Sequence, residues 1–134
     1  MAKMQVFIGE GKKVKAEYKG FTIETDQPEK YGGENSAPAP FDLFLASLGT
    51  CVGFFMGAFC RRMNLPTFGF KIEMEFIGDP QTHLVKKILT KVTFPENFPE
   101  KYKNAVFKSA DSCSVTKQMK YMPEFEIIEV NGVR

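Results

Sequence analysis

Tryptophan is absent from this 134-residue chain, histidine occurs once, and cysteine occurs three times. The cysteines, Cys51, Cys60 and Cys113, form no Cys-x-x-Cys spacing, and their odd number argues against a disulfide framework or a zinc site. No glycine-rich turn is followed by the Gly-Lys-Ser/Thr sequence of a phosphate loop. These absences predict no metal and no cofactor, and they leave sulfur as the best candidate for any chemistry.

The charge and the length of the chain limit its class further. The formal net charge is +2, which is too small to indicate a nucleic-acid partner. A length of 134 residues predicts one domain spanning residues 1–134. The N-terminal residues form no apolar segment of signal-peptide length, so we expect a cytoplasmic, reducing location.

Three segments near the N-terminus alternate apolar and polar residues, which is typical of strands in an antiparallel meander. They span residues 4–8, 13–18 and 21–24, and glycine-containing turns separate them. Residues 26–40 are rich in turn formers and predict an ordered loop. The N-terminal part of the chain is therefore expected to form a three-stranded sheet followed by a loop.

A long helix is predicted to begin at Pro40, which suits the first helical position, and to end at Arg61 and Arg62, whose charges suit its C-terminal end. The pattern beyond it predicts, in order, strands at 68–77 and 83–94, helices at 100–110 and 113–119, and a strand at 125–130. This order of elements predicts an α+β fold in which a sheet packs on helices.

The central part of the long helix is uncharged from Leu43 to Cys60, eighteen residues in all. That length reaches the lower limit of a membrane span. A helix that is apolar on all sides must be buried, and a small domain can hardly surround one alone. We therefore expect a central helix enclosed in a homodimer, with a membrane span as the less favoured alternative and no membrane partner.

The positions of Cys51 and Cys113 favour different behaviour of the two thiols. Cys51 lies mid-helix on a face that carries several phenylalanines, and such a thiol is inert unless a cation or a hydrogen-bond donor reaches it. Cys113 follows Asp111 and Ser112, which are good N-cap residues, so the start of a helix favours its thiolate. Free cysteines often pack as small hydrophobic side chains, and that alternative stays open for both.

Cys60 is best interpreted as a packing residue. It lies nine residues after Cys51, so it faces the opposite side of the same helix at 100° per residue. A disulfide between Cys51 and Cys60 would distort the helix. Only Cys51 and Cys113 therefore remain as candidate reactive thiols.

Three segments carry a resemblance to a known family. The sequence from Gly32 to Cys51 resembles the hallmark segment of the OsmC/Ohr family, as do Asn64-Leu-Pro66 and Ser112-Cys113-Ser-Val. The likeness extends more loosely over essentially the whole chain. The family implies an α+β fold with antiparallel sheets wrapped around a central buried helix, in an intertwined homodimer with active sites at the subunit interface.

The resemblance also implies a mechanism. In the peroxidase members, the cysteine matching Cys51 attacks the terminal oxygen of an organic hydroperoxide and becomes a sulfenic acid. The cysteine matching Cys113 then condenses with it to a disulfide, and an external dithiol reductant restores both thiols.

An apolar substrate tail would suit the aromatic surroundings of Cys51. Each of these side chains is also a reasonable core residue. The candidate substrate-binding residues are Phe44, Phe54, Phe55 and Met119.

The resemblance fails where the peroxidase members keep their activating residues. Those members have a glutamate ten residues before the reactive cysteine and an arginine in the early strands, whereas this chain has Phe41 at the first position and no early arginine. Lys19, Lys30 and Glu34 are candidate substitutes, although lysine lacks the planar fork of arginine.

Three functions follow from these observations. The favoured one is a thiol-dependent peroxidase or redox protein that reduces organic hydroperoxides. The alternative is a non-catalytic OsmC-like protein that binds a small apolar ligand at the dimer interface. A third is a dimeric scaffold whose cysteines only pack.

Overall fold

The computed structural model describes residues 2–130 and contains antiparallel sheets and helices, which confirms the α+β prediction. The chain divides into an N-terminal unit, residues 1–49, and a C-terminal unit, residues 50–134. The prediction of one domain over residues 1–134 stays a prediction. The elements are β1 (Gln5–Ile8), β2 (Val14–Tyr18), β3 (Phe21–Thr25), α1 (Pro40–Arg62), β4 (Lys71–Gly78), β5 (Val85–Thr93), α2 (Lys103–Ser109) and α3 (Ser114–Met119).

The N-terminal unit contains the predicted three-stranded meander, in the order β1-β2-β3. Ala16 in the central strand pairs with Val6 of β1 and with Ile23 of β3. The Thr25 hydroxyl donates a hydrogen bond to the Val14 carbonyl oxygen at 2.6 Å. The alternation seen in the sequence therefore corresponds to real strand pairing.

The buried carboxylate of Asp26 organises the loop after β3. Its Oδ1 accepts a hydrogen bond from the Gln27 backbone N–H at 2.8 Å. Its Oδ2 accepts from the Glu34 N–H at 3.3 Å, and from the Ser36 N–H and hydroxyl at 3.1 and 2.6 Å. These donors, led by the Ser36 hydroxyl, lower the pKa of Asp26 from 3.8 to about 2. One charged side chain thus folds residues 26–36 back on themselves.

Gly33 is required where this loop approaches its own backbone. A Cβ atom at Gly33 would lie 2.0 Å from the carbonyl oxygen of Gln27, a separation that no side chain could accept. The same carbonyl accepts a hydrogen bond from the Asn35 N–H at 3.0 Å. Gly33 therefore has a structural role within the segment that resembles the OsmC/Ohr family.

Helix α1 begins and ends where the sequence predicts, at Pro40 and Arg62. Asp42 Oδ2 accepts a hydrogen bond from the Ala39 N–H at 3.1 Å, which satisfies a donor at the start of the helix. The helix is long and apolar enough to cross a membrane, and 22% of its apolar stretch is buried. A single chain therefore leaves much of this apolar helix uncovered.

The C-terminal unit contains the antiparallel β4–β5 pair, in which Ile72 lies opposite Val92. Residues 100–112 form α2 with a short 3-10 turn at each end, where the sequence pattern predicted one helix at 100–110. The hydrophobic cluster is defined by the buried residues Val52, Met56, Cys60, Phe98, Val106 and Cys113. Side chains of β4 and β5 pack against this cluster.

The predicted strand at 125–130 is wrong for the single chain. These residues belong to neither sheet of the described part of the chain. Phe125 and Ile127 are 83% and 99% exposed. A β-strand requires a neighbouring strand with which it forms backbone hydrogen bonds. The alternation of apolar and polar residues predicts an extended conformation but does not identify that neighbouring strand.

We predict that Asp26→Asn lowers the free energy of unfolding above pH 4. The amide would replace one acceptor oxygen with a donor that faces N–H groups. The folded-state pKa of Asp26 is lowered to about 2, so its stabilisation is present above the ordinary value and is lost as pH falls through about 2. Urea unfolding at several pH values measures the difference.

Glu24→Gln is the matched control, because Glu24 is an exposed carboxylate on the neighbouring strand. It should leave the free energy of unfolding nearly unchanged. Equal effects of the two substitutions, or a loss for Asp26→Asn that persists unchanged at pH 2, would contradict the role of the Asp26 charge.

Candidate cysteine site

Cys51 and Cys113 meet in the C-terminal unit. Cys51 lies in the middle of α1, and Cys113 occupies the N-cap position of α3. Both thiols are free, both pack at one hydrophobic cluster, and the Cys51 thiol is near enough to help lower the pKa of Cys113. The fold therefore brings together the two cysteines that the sequence singled out, across 62 residues of chain.

A stripe of side chains on α1 holds the two cysteines in place. Val52, Met56 and Cys60 are spaced four residues apart and are all buried, because residues at that spacing share one face of a helix. Cys113 is buried among them with 0% exposure, and Cys51 is half-buried against the same cluster. The two sulfurs thus differ in their access to solvent.

Opposing effects act on the Cys113 thiol. Burial is the largest and raises its pKa, but hydrogen-bond donors together outweigh it and lower the pKa below the ordinary value. The strongest donor is the Thr116 hydroxyl, followed by the Thr116 N–H, the Cys51 thiol and the Val115 N–H. The Val115 and Thr116 N–H groups belong to the first turn of α3, so the start of the helix contributes to this lowering together with the Thr116 hydroxyl.

Sequence reasoning missed Thr116. It predicted a thiolate-favouring position for Cys113 from the preceding Asp111 and Ser112, but both of these residues are exposed. The useful signal was the hydroxyl three residues after the cysteine, since residues at that spacing are neighbours on a helix surface.

The Cys60 thiol contributes to packing. It is fully buried in the cluster, and burial raises its pKa. Although Cys60 and Cys51 lie nine residues apart on one helix, both pack against the cluster. The raised pKa keeps the Cys60 thiol protonated, which fits the packing interpretation.

Two of the candidate substrate-binding residues lie beside Cys51 on α1. Phe55 is half-buried against the cluster, and Phe54 packs edge-to-face on it with ring centroids 5.2 Å apart. Met119 ends α3 with its side chain exposed. Phe44 belongs to the N-terminal unit, where its ring packs 5.5 Å from that of Phe41.

A cleft of about 430 Å³ lies between α1 and α2. Phe55 and Phe59 contribute apolar surface to its lining, and Arg62 and Lys108 contribute positive charge. Sequence reasoning did not identify this cleft, because its lining comes from two helices that are far apart in the chain. Its lining residues are Phe55, Ala58, Phe59, Arg62, Ala105, Lys108, Ser109 and Ser112.

The residues considered as substitutes for the family's activating pair have partners within the N-terminal unit. Lys19 and Lys30 each place their ammonium over the ring of an adjacent tyrosine, 5.3 and 5.0 Å from the centroid. Glu34 forms an ion pair with Lys13 at 3.5 Å. A role for any of them at Cys51 stays a prediction.

The described residues give little support for catalysis by histidine or for a metal site. His83 is exposed in the turn before β5, with a backbone φ of 61°. Within residues 2–130, no group of three or more His, Cys, Asp or Glu side chains could hold a metal ion. Among the described residues, the cysteine pair is therefore the best candidate for a reactive site.

Comparison with known proteins shows what the chain is similar to. The family described as OsmC-like protein matches residues 33–128, and no curated protein matches significantly. A Psychrobacter arcticus protein, described as an osmotic stress induced and detoxification response protein, has a similar structure with 23% identity, 88% of each chain covered and a TM-score of 0.74. At these low identities the structural likenesses support the fold alone.

Two further structures extend this likeness. An OsmC-like protein from Mycoplasma pneumoniae has 11% identity and a TM-score of 0.71, with 90% of this chain and 88% of that chain covered. An organic hydroperoxide resistance protein, OsmC, from Legionella pneumophila has 16% identity and a TM-score of 0.54, with 90% of each chain covered. The fold described above is therefore shared across several bacterial proteins.

We predict that Cys60→Ala lowers the free energy of unfolding by about 1–2 kcal/mol, the usual effect of a small cavity in a core. Cys60→Ser should lower the free energy of unfolding by at least as much, because it buries a hydroxyl group. Neither change should alter how fast Cys51 and Cys113 react with iodoacetamide at pH 7. Denaturant unfolding and peptide-level mass spectrometry measure the two quantities, and unchanged stability would contradict the packing role.

Proposed function

This chain belongs to the OsmC-like protein family, and on that premise we propose that it is a cytoplasmic thiol-dependent peroxidase that reduces organic hydroperoxides. The observation that carries the proposal is the proximity of Cys51 and Cys113, which pack at one hydrophobic cluster and of which the first helps to lower the pKa of the second. Two thiols in such contact need little movement to form a disulfide. One protein that shares the fold, from Legionella pneumophila, is itself described as an organic hydroperoxide resistance protein, and the proposal adopts that substrate class.

The reaction proceeds in two steps at sulfur. The Cys51 thiolate attacks the terminal peroxide oxygen, the O–O bond breaks, and the alcohol leaves with a proton while Cys51 becomes a sulfenic acid. Cys113 then attacks the Cys51 sulfur, which forms the disulfide and releases water. An external dithiol supplies the two electrons that restore both thiols by exchange.

Solvent access decides which cysteine reacts first. Cys51 is half-buried, whereas Cys113 is completely buried. An organic hydroperoxide can therefore reach the first sulfur more easily than the second. Phe54 and Phe55 lie one turn further along α1, and they are the proposed contacts of an apolar substrate tail, together with Phe44 and Met119.

Binding of a small apolar ligand without catalysis is the second candidate function. The cleft between α1 and α2 favours it, because its volume of about 430 Å³ lies in the range of small-molecule sites. Phe41 in place of the family's glutamate favours it as well. In this case the ligand would bind at a dimer interface, and the cysteines would take no part in a catalytic cycle.

We also propose that two copies of the chain form a homodimer. Helix α1 is apolar on most of its surface and only partly covered in one chain, and such a helix requires burial. The exposed apolar segment at 125–130 has the alternation of a strand that lacks a partner. A second copy would cover both features with the same interface.

We predict that one equivalent of tert-butyl hydroperoxide converts the reduced protein to a Cys51–Cys113 disulfide and leaves Cys60 as a thiol. The pair should react selectively, because the two cysteines lie close together at one cluster. Peptide mapping by mass spectrometry identifies the bond, and dithiothreitol should reverse it. Slow, unselective oxidation, or oxidation of Cys60 alone, would support ligand binding or packing instead.

Single substitutions test the assigned roles of the two cysteines. Cys51→Ser should abolish hydroperoxide consumption, because it removes the attacking sulfur. Cys113→Ser should leave a sulfenic acid on Cys51 that dimedone traps, because the resolving thiol is missing. A sulfenic acid trapped on Cys113 in the Cys51→Ser variant would reverse the assignment.

We predict a mass in solution of twice the 15.2 kDa of one chain, measured by light scattering after size exclusion. Ile127→Asp should weaken the dimer, because it places a charge on a 99% exposed apolar side chain of the C-terminal segment. Glu126→Gln at the adjacent exposed position is the matched control and should leave the mass unchanged. A monomer at micromolar concentration would contradict the proposed assembly.

A further inference from the structure

The cleft between α1 and α2 owes its space to small side chains on both helices. Ala58 on α1 and Ala105 on α2 line it, and a methyl group fills little of the distance between two packed helices. The α1 residues of the cleft share one helix face, because they follow the spacing i, i+3, i+4 and i+7. These residues are Phe55, Ala58, Phe59 and Arg62.

The charged side chains of the cleft have one sign. Arg62 and Lys108 both line it. Among residues 2–130, no aspartate or glutamate lines the cleft, and neither cation forms an ion pair with a carboxylate. Two cations that lack a carboxylate of the chain and lie beside apolar surface complement a ligand with a negative charge.

Arg62 is held against the aromatic part of the lining. Its guanidinium lies over the Phe59 ring, 5.5 Å from the centroid, which is within the range of a cation–π interaction. A guanidinium presents parallel N–H donors that match the two oxygens of a carboxylate. The Ser109 hydroxyl donates to the Val106 carbonyl oxygen at 2.5 Å, so its proton is not available to a ligand.

The apolar part of the lining favours a flat ligand. Phe55 and Phe59 are its large apolar side chains, and both are half-buried against the hydrophobic cluster. Pairs of aromatic rings are stabilised beyond the area that they bury. A flexible alkyl chain would lose conformational freedom on binding, whereas a rigid ring system would not. The volume of about 430 Å³ is in the range of small-molecule sites.

We propose that the cleft between α1 and α2 binds an aromatic carboxylate, with its rings against Phe55 and Phe59 and its carboxylate at Arg62 and Lys108. This inference goes beyond the peroxidase function, because binding requires no reaction at the cysteines. It shares its cleft with the second candidate function and narrows the ligand of that function to one chemical class.

Calorimetric titration of the reduced protein with 1-naphthoate at pH 7 measures the predicted binding. We expect saturable binding with a dissociation constant of about 0.1–1 mM, as is usual for a small ligand. 1-Naphthalenemethanol keeps the rings without the charge, and octanoate keeps the carboxylate without the rings. Each should bind about tenfold more weakly than 1-naphthoate. Equal binding of the alcohol would overturn recognition of the charge, and equal binding of octanoate would overturn recognition of the rings.

Substitutions of the two adjacent arginines locate the carboxylate. Arg62→Gln should weaken the binding of 1-naphthoate about fivefold and leave that of 1-naphthalenemethanol unchanged, because only the carboxylate loses a partner. Arg61→Gln is the matched control, since it removes the same charge from an exposed position of α1 outside the cleft. Equal losses in the two variants would reflect a general effect of charge and would contradict the assigned site.

Ala58→Leu tests whether the rings occupy the space between the helices. The larger side chain fills the cleft, so binding of 1-naphthoate and of 1-naphthalenemethanol should both be lost. Circular dichroism checks that the variant is folded. Unchanged binding in the folded Ala58→Leu protein would overturn the location of the site.

The cleft site and the peroxidase function fail in distinguishable ways. Absence of saturable 1-naphthoate binding up to about 5 mM would overturn the cleft site, and hydroperoxide-driven disulfide formation would still decide the peroxidase function. A protein that binds 1-naphthoate but forms no disulfide with hydroperoxide would keep the cleft site and lose the peroxidase function. Equal affinity for the acid and the alcohol would overturn this inference and leave the second candidate function standing.

Discussion

The packing of one face of α1 against the C-terminal elements is the interaction on which the cysteine site depends. Val52, Met56 and Cys60 form the buried stripe of this face, and burial of such side chains contributes roughly 1.5–3 kcal/mol for each large one. The same packing that stabilises the unit brings the N-cap residue of α3 to the middle of α1. The contact between Cys51 and Cys113 is thus a consequence of core formation.

Desolvation and hydrogen bonding have opposite effects on the pKa of each buried cysteine, and their balance decides whether the pKa is raised or lowered. Cys60 and Cys113 are both fully buried, yet the pKa of Cys60 is raised and that of Cys113 is lowered. The difference lies in the donors, because Cys113 faces the Thr116 hydroxyl and the Cys51 thiol. Burial alone therefore does not decide whether a cysteine is inert, and the chemistry depends on which polar groups share the core.

The sequence predicts much of this arrangement because its strongest signals are local. The alternation of β1 to β3 and the proline and arginines that bound α1 are readable from neighbouring residues, and the structure has these elements at nearly the predicted positions. The contact of Cys51 with Cys113 joins distant parts of the chain, so it was accessible only through family resemblance. The three-residue spacing of Cys113 and Thr116 makes them neighbours on a helix, but this spacing does not fix the direction of the Thr116 side chain. The strand predicted at 125–130 failed because its partner is not specified by its own pattern.

A hydrogen-bond donor beside Cys113 suits the resolving role proposed for this cysteine, since attack on a sulfenic acid requires its thiolate. A donor that stabilises the thiolate too strongly would weaken it as a nucleophile, because nucleophilicity falls as the pKa falls. A neutral hydroxyl such as that of Thr116 stabilises charge less than an arginine does. In a core where burial already raises the pKa, this moderate donor offsets the desolvation without removing the reactivity of the sulfur. Thr116 is therefore a suitable partner for a buried cysteine that is proposed to attack a sulfenic acid.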